Sequence, residues 1–381
     1  MNNTALSHWR VGVARLILCT LVVSVPVTVR AQFALQGLLG DPVSGFAPVI
    51  EGRTFQFPRD HGAHPGFRTE WWYATGMLVT KSGRRFGLQL TLFRYALAPT
   101  KAALGANRGI ETDSAWRAKA IWMGHMAISD VRKQAFHNAE VFARGARAGA
   151  AGATVAPVRI WLHNWAITSD DEQIWRLAAR HRDMALAVRV QAQKPVVLQG
   201  HDGFSRKSAG PHAASYYYAL TRLRGDGQLQ LGEERFDGNV QLWLDREWSS
   251  SALSANQVGW DWLGLQLDDG RDLMLYRLRN ADGSVDRFSA GALVAADGAR
   301  TGLAVDDFEL LPEPPHTLDS GRRYPLRWRV RVPGQDLNLT VTATFPEQEH
   351  TGAVAYWEGL VEVLDASGKA AGHGYLEMTG Y

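Results

Sequence analysis

Residues 57–94 read FPRDHGAHPGFRTEWWYATGMLVTKSGRRFGLQLTLFR. A charged loop broken by Pro58, Gly62, Pro65 and Gly66 opens the stretch. A strand-like run follows from Glu70 to Val79, then the turn signal Lys81-Ser82-Gly83, then a second run from Arg85 to Arg94. A short glycine-bearing turn between two such runs predicts a β-hairpin. In the second run Phe86, Leu88, Leu90 and Leu92 alternate with Gly87, Gln89 and Thr91, the period of a strand with one apolar face. Trp71, Trp72 and Tyr73 stand beside Glu70. Large aromatics so placed either pack a core or line a pocket.

The same pattern recurs along the chain. Leu326, Trp328, Val330 and Val332 alternate with arginines, and Met184, Leu186, Val188 and Val190 keep the same period. Asp-Gly turn signals recur at 226–227, 269–270, 282–283 and 297–298. An aromatic run, a glycine turn and a return run repeat faintly at Trp72/Gly83, Trp262/Gly270 and Trp357/Gly368. Trp175 to Arg182 fits a strand or a short helix, and the Ala/Gly-rich stretch Ala143–Pro157 reads as a flexible surface loop. No long amphipathic helix is present. Many short strands with regular turns predict an all-β sandwich or barrel architecture. Two such sets predict two β domains, with the boundary between Gly200 and Gly238.

The 381 residues carry a net charge of only +3 and no run of like charges, which excludes a nucleic-acid footprint. Arg10 and Arg15 precede the apolar stretch Leu16–Val29 and the small-residue site Val29-Arg30-Ala31. This predicts an export signal over residues 1–31, cleaved before Gln32, and a periplasmic or secreted protein. The single cysteine, Cys19, lies within that segment. The exported chain would then have no disulfide, no thiolate nucleophile and no Cys-zinc site.

The richest chemical grouping is Asp245-Arg246-Glu247-Trp248 with Trp260-Asp261-Trp262. Carboxyls held against indoles have raised pKa values and can donate protons. Asp261, flanked on both sides by tryptophan, is the first candidate acid; Asp245 and Glu247 are the reserves, because Arg246 beside them favours their ionised forms. The competing structural reading pairs Asp245 with Arg246 at the domain junction and buries the tryptophans. His61, His64 and His125 do not fix a metal site by spacing, and no metal or cofactor is expected. Asp60 and His61 are expected instead to bond loop backbone and hold Arg68 or Glu70. Gly203-Phe204-Ser205-Arg206-Lys207 lacks the second glycine of a nucleophile elbow.

Four segments carry a family resemblance: FPRDHGAHPGFRTEWWYATG, Leu244–Ser249, Gly259–Trp262 with its hairpin to Arg279, and Gly374–Tyr381. Together they resemble the AttH-like family, which includes the carotenoid 1,2-hydratases. The resemblance implies two lipocalin-like antiparallel β-barrel domains in tandem, assigned here to residues 32–212 and 213–381. It implies one of two functions. The first is an exported carrier of a lipophilic molecule, an accessory of ABC transporter components with peripheral membrane contact. The second is a hydratase or cyclase acting on an isoprenoid double bond by acid catalysis. The candidate lining of the ligand site is Glu70, Trp71, Trp72, Tyr73, Gln89, His125, Trp248, Trp260, Trp262, Tyr276 and Trp357.

Overall fold

The hairpin at the centre of the sequence forms as expected. Strands β1 (Thr69–Thr80) and β2 (Arg85–Ala96) pair antiparallel around Gly83, whose φ of 79° suits glycine. The structure, a computed structural model, describes residues 45–99, 119–144, 149–250 and 253–381. The segment read as an export signal, and part of the loop expected at Ala143–Pro157, lie outside the described residues.

The hairpin lies inside a thirteen-stranded antiparallel sheet, near its β4 edge. The further strands are β3 (Ala120–Asp130), β4 (Ala135–Arg144), β5 (Ala151–Val155), β6 (Val158–Leu162), β7 (Trp165–Ser169), β8 (Ile174–His181), β9 (Met184–Ala192), β10 (Val197–Leu198), β11 (Phe204–Arg206), β12 (Ala214–Leu231) and β13 (Glu234–Ser249). The order β4-β3-β2-β1-β13-β12-β9-β8-β7-β6-β5 wraps into a nearly closed barrel. A second, half-barrel sheet of ten strands follows: β14 (Gln257–Leu267), β15 (Asp272–Asn280), β16 (Ala290–Val294), β17 (Arg300–Ala304), β18 (Glu309–Pro312), β21 (Arg327–Val332), β22 (Leu337–Ala343), β23 (Glu349–Thr351), β24 (Ala355–Leu364) and β25 (Ala370–Thr379). A small ribbon, β19 (His316–Thr317) with β20 (Arg323–Tyr324), stands apart. No α-helix occurs among the described residues, and Ile174–His181 is a strand.

Two expectations are corrected. Ala151–Val155, read as part of a loop, is a strand, because all five residues find partners on β6 and pairing outweighs the weak strand propensity of Ala and Gly. The passage between sheets lies between Ser249 and Gln257, not at 212/213. Both β12 and β13 belong to the first sheet, where β13 pairs β1 along Thr69–Thr80. That pairing joins segments far apart in sequence, and no local turn signal announces it.

Alternation along β1 sends its residues into two separate cores. Trp72, Ala74 and Leu78 enter the first sheet's interior with Leu88, Leu90, Leu92, Trp165 and Trp175. Tyr73 and Met77 face the other way and pack with Trp262, Met274, Tyr276 and Leu360 of the second sheet. Polar ties lock this junction. Gln266 donates to the Thr221 and Leu242 carbonyls (2.7 and 2.9 Å). Buried Asp272 meets Arg222 (2.6 Å), Lys194 (2.7 Å) and the Thr221 hydroxyl (2.8 Å).

Candidate active site

The face of the first sheet that turns toward the second carries a pocket. Register places its residues side by side. Trp71 lies opposite Glu247 and Tyr73 opposite Asp245; Trp71 also lies opposite Phe93, and Phe93 opposite Met123. From the second sheet, Trp262 lies opposite Tyr276 and Glu377, and Glu377 opposite Glu358. These side chains, with Lys207, Tyr217, Trp260, Tyr356 and His125, line one cavity. It offers about 130 Å3 to the centres of water-sized molecules, about ten times what one water requires. The walls are mostly aromatic, as in sites for organic ligands.

Four carboxyls reach this cavity. Glu247 is paired with Lys207 (3.3 Å) and accepts from Ser215. The other three make no ion pair among the described residues. Burial pushes Asp245 up to about 8; the hydrogen bonds it accepts from Trp243 Nε1 (2.6 Å) and Tyr217 (2.7 Å) oppose that shift, while Glu247 and Glu377 add to it. Burial raises Glu377 to about 7 against a hydrogen bond from Trp260 Nε1 (2.9 Å). Burial also lifts Glu358 well above the usual carboxylate range, aided by Glu377; Glu358 accepts from Tyr73 and from Gln89 Nε2 (3.3 Å). Carboxyls buried in an apolar pocket without an ion-pair partner hold their protons to higher pH and can donate them.

The expected site residues divide sharply. Trp71, Tyr73, His125, Asp245, Glu247, Trp260, Trp262 and Tyr276 meet in the pocket. Gln89 lies just behind it, bonded to Tyr356 and Glu358. Asp261 does not join them. In an extended strand it faces away from Trp260 and Trp262, and its carboxylate pairs with Arg277 (2.8 Å) and accepts from Tyr381 (2.7 Å). Trp72 stacks on Trp122 at 5.7 Å inside the first sheet. Trp357 is in the second sheet's core and donates to the Pro346 carbonyl (2.6 Å). Trp248 stacks on His64 at 3.8 Å. Glu70 is fully buried between Arg246 and Arg94.

The last placement rules out the alternative reading in which Asp245 pairs with Arg246. Arg246 faces the opposite side of β13, where it pairs with Glu70, donates to the Gly62 carbonyl (2.6 Å) and lies over Trp72 at 3.9 Å. Asp245 is left without its cation. Asp60 accepts from the loop backbone at Gln56 N–H (2.7 Å), as expected, and pairs with Arg53 (2.5 Å) and His64 (3.0 Å). The three histidines do not converge: His61 bonds Tyr218 (2.6 Å), His64 meets Asp60, and His125 meets Tyr356 (2.6 Å). Glu358, Glu377, Tyr217, Tyr356 and Lys207 escaped the sequence reading. The strand period around Trp357 puts Tyr356 and Glu358 on one face, but it does not reach Tyr217 or Lys207.

A pH dependence of stability follows. An unfolded aspartate ionises near 3.8, whereas folded Asp245 holds its proton to about 8. Between those values the folded state carries the extra proton, so this group's contribution to stability falls as pH rises from about 4 to about 8 and is flat above. Asp60, lowered to about 2 although burial opposes it, behaves oppositely: its contribution is full above about 4 and is lost as pH falls toward 2. Asp245→Asn is expected to flatten the decline between pH 4 and 8, read from urea midpoints. An unaltered slope would argue that Asp245 ionises normally.

Two antiparallel barrel-like sheets, packed on an aromatic pocket lined by buried carboxyls, define a two-sheet lipocalin-like protein with its candidate site at the sheet junction. The chain belongs to the AttH-like family, whose sequence profile matches residues 48–381. A crystal structure described as AttH, from Nitrosomonas europaea, is 32% identical, covers 88% of this chain and 100% of its own, and superposes with a TM-score of 0.78. Kievitone hydratase from Nectria haematococca shares the fold at 13% identity, with 88% and 95% coverage and a TM-score of 0.63. CghA in complex with Sch210972 does so at 12% identity, with 90% and 96% coverage and a TM-score of 0.54. Dehydratase asqC of Emericella nidulans is 24% identical over 197 residues, 49% of this chain. The match spans about half the length of that curated relative, 54%.

Proposed function

We propose that the pocket between the sheets binds a lipophilic, unsaturated small molecule and adds water to it, removes water from it or cyclises it by acid–base catalysis. One observation carries this reading: three carboxyls line a cavity walled by aromatic rings and make no ion pair among the described residues, and burial raises all three. Protonating a carbon–carbon double bond needs such a donor. Asp245 is assigned that role, because its value near 8 keeps it protonated at neutral pH yet able to release the proton. The faces of Trp71, Trp260 and Trp262 would stabilise the developing carbocation, by about 1–2 kcal/mol for a desolvated ring. Kievitone hydratase and dehydratase asqC are, by name, enzymes that add or remove water, and neither is named for transport. This favours the enzyme over the carrier.

The test is direct. The purified protein is incubated with a panel of isoprenoid alkenes, geranylgeraniol among them, and with a cell lipid extract, all in 18O-water. Products that gain labelled water, lose water or isomerise are the expected result. Retained ligands with no chemical change across the panel would instead favour a carrier. The reading also keeps the protein outside the cytoplasm, on the strength of the N-terminal segment; protein from its native host should begin at Gln32.

A further inference from the structure

We infer that Tyr356, relayed through His125 to Glu140, is the proton acceptor that works opposite the carboxyl donor. This rests on the acid–base reading above. Tyr356 lines the pocket, and its phenol oxygen lies 2.6 Å from His125 Nδ1. The other ring nitrogen, Nε2, lies 3.0 Å from Glu140 Oε2. Glu140 stands at the rim, with its side chain 21% exposed. Its carboxylate is gripped by the Ala353 amide at 3.0 and 3.1 Å. These three groups therefore run from near solvent to the pocket wall.

The polarity of this chain follows from the groups themselves. A carboxylate can only accept, so His125 donates its Nε2 proton to Glu140. Burial would raise Glu140, but hydrogen bonds from His125 and the Ala353 amide win and hold it below the usual range. A neutral imidazole protonated at Nε2 has its lone pair on Nδ1, so the Tyr356 hydroxyl donates to it. Gln89 agrees with this direction. His350 Nε2 meets Gln89 Oε1 at 2.6 Å, which turns the amide nitrogen toward Tyr356 at 3.0 Å. The phenol oxygen thus accepts from Gln89, gives its proton to His125, and keeps a lone pair free toward the cavity. This is a hydroxyl backed by a base that a carboxylate orients.

The proton count balances. In hydration, Asp245 gives its proton to one alkene carbon, the π bond breaks, and the other carbon becomes cationic. Water attacks that carbon and forms the C–O bond. The proton it sheds passes to Tyr356 while the phenol's own proton moves to His125 Nδ1. His125, now protonated on both nitrogens and held by Glu140, hands its Nδ1 proton back to Tyr356 on product release, and the phenol's outer proton passes through water in the pocket to the Asp245 carboxylate, which restores the resting state. Dehydration runs the same path in reverse. Tyr356 is the catalytic residue of this relay; His125 and Glu140 are positioning residues acting through it.

Two measurements decide it. In 15N-histidine-labelled full-length protein, long-range 1H–15N spectra should show His125 protonated on Nε2 alone, identified by its loss in His125→Gln. Tyr356→Phe should move the Nδ1 signal and leave the Nε2 proton in place. A proton on Nδ1 would overturn the relay. With geranylgeraniol or the panel member turned over, Tyr356→Phe and His125→Gln should each slow turnover by about 10²- to 10⁴-fold, with ligand-dependent tryptophan fluorescence retained. The double variant should be no slower than either single, as expected of groups acting as a unit. Full activity in Tyr356→Phe beside an inactive Asp245→Asn sinks the relay and spares the acid. Wild-type protein that turns over nothing in the panel sinks the acid–base reading, and the histidine spectra then decide the wiring alone.

Discussion

Asp245→Asn is expected to lower turnover of the hydrated or dehydrated substrate by about 10²- to 10⁴-fold, the usual reach of one general acid, while the ligand still binds. Asparagine keeps the shape of the side chain and can keep the contacts to Trp243 and Tyr217, but it has no proton to give. The effect should fall on kcat more than on KM, because proton transfer is felt in the transition state. Asp261→Asn is the control, since its carboxylate points away from the cavity into Arg277 and Tyr381. Wild-type activity in Asp245→Asn would move the donor role to Glu358 or Glu377, the other carboxyls of the pocket that burial raises.

Arg246→Met should destabilise the fold by about 3–5 kcal/mol, as removing one partner of a buried ion pair does. Arg246 and Glu70 are both fully buried, and the guanidinium also holds the Gly62 carbonyl and covers Trp72. Methionine fills part of the space and leaves Glu70 with Arg94 as its remaining guanidinium partner. The check is the urea midpoint at neutral pH. A loss below about 1 kcal/mol, the range of exposed pairs, would mean that water reaches the site. Trp72→Ala should also destabilise, by about 3–5 kcal/mol as a large core truncation, but should spare ligand-dependent fluorescence, because Trp72 faces the first sheet's interior.

The strands were legible because period-two patterning and glycine turns are local. The hairpins at Gly83, Gly270 and Gly368 formed where expected, each glycine with positive φ. The alternation of Leu88, Leu90 and Leu92 against Gln89 and Thr91 matches the two faces of β2. What stayed hidden depends on which strand lies beside which. Asp245 seemed compromised by Arg246 because neighbours in sequence look like neighbours in space. In an extended strand they are on opposite faces, so Arg246 serves Glu70 and leaves Asp245 without an ion-pair partner among the described residues. The same rule removed Asp261, whose two tryptophans share the pocket while it does not. Tyr356, Glu358 and Glu377 come from the last two long strands, and only the packing of one sheet on the other brings them to Asp245. Nothing in their local sequence marks them as partners of residues more than a hundred positions away.

At physiological pH the Asp245 carboxyl is expected to face the cavity in its neutral form. Isotope-edited infrared difference spectra of 13C-aspartate-labelled protein, with Asp245→Asn to assign the band, read this without any substrate. A protonated carboxyl band that persists at pH 7 and titrates near 8 is the result predicted here. A band already ionised at pH 6, with a midpoint near that of a free aspartate at about 4, would contradict it.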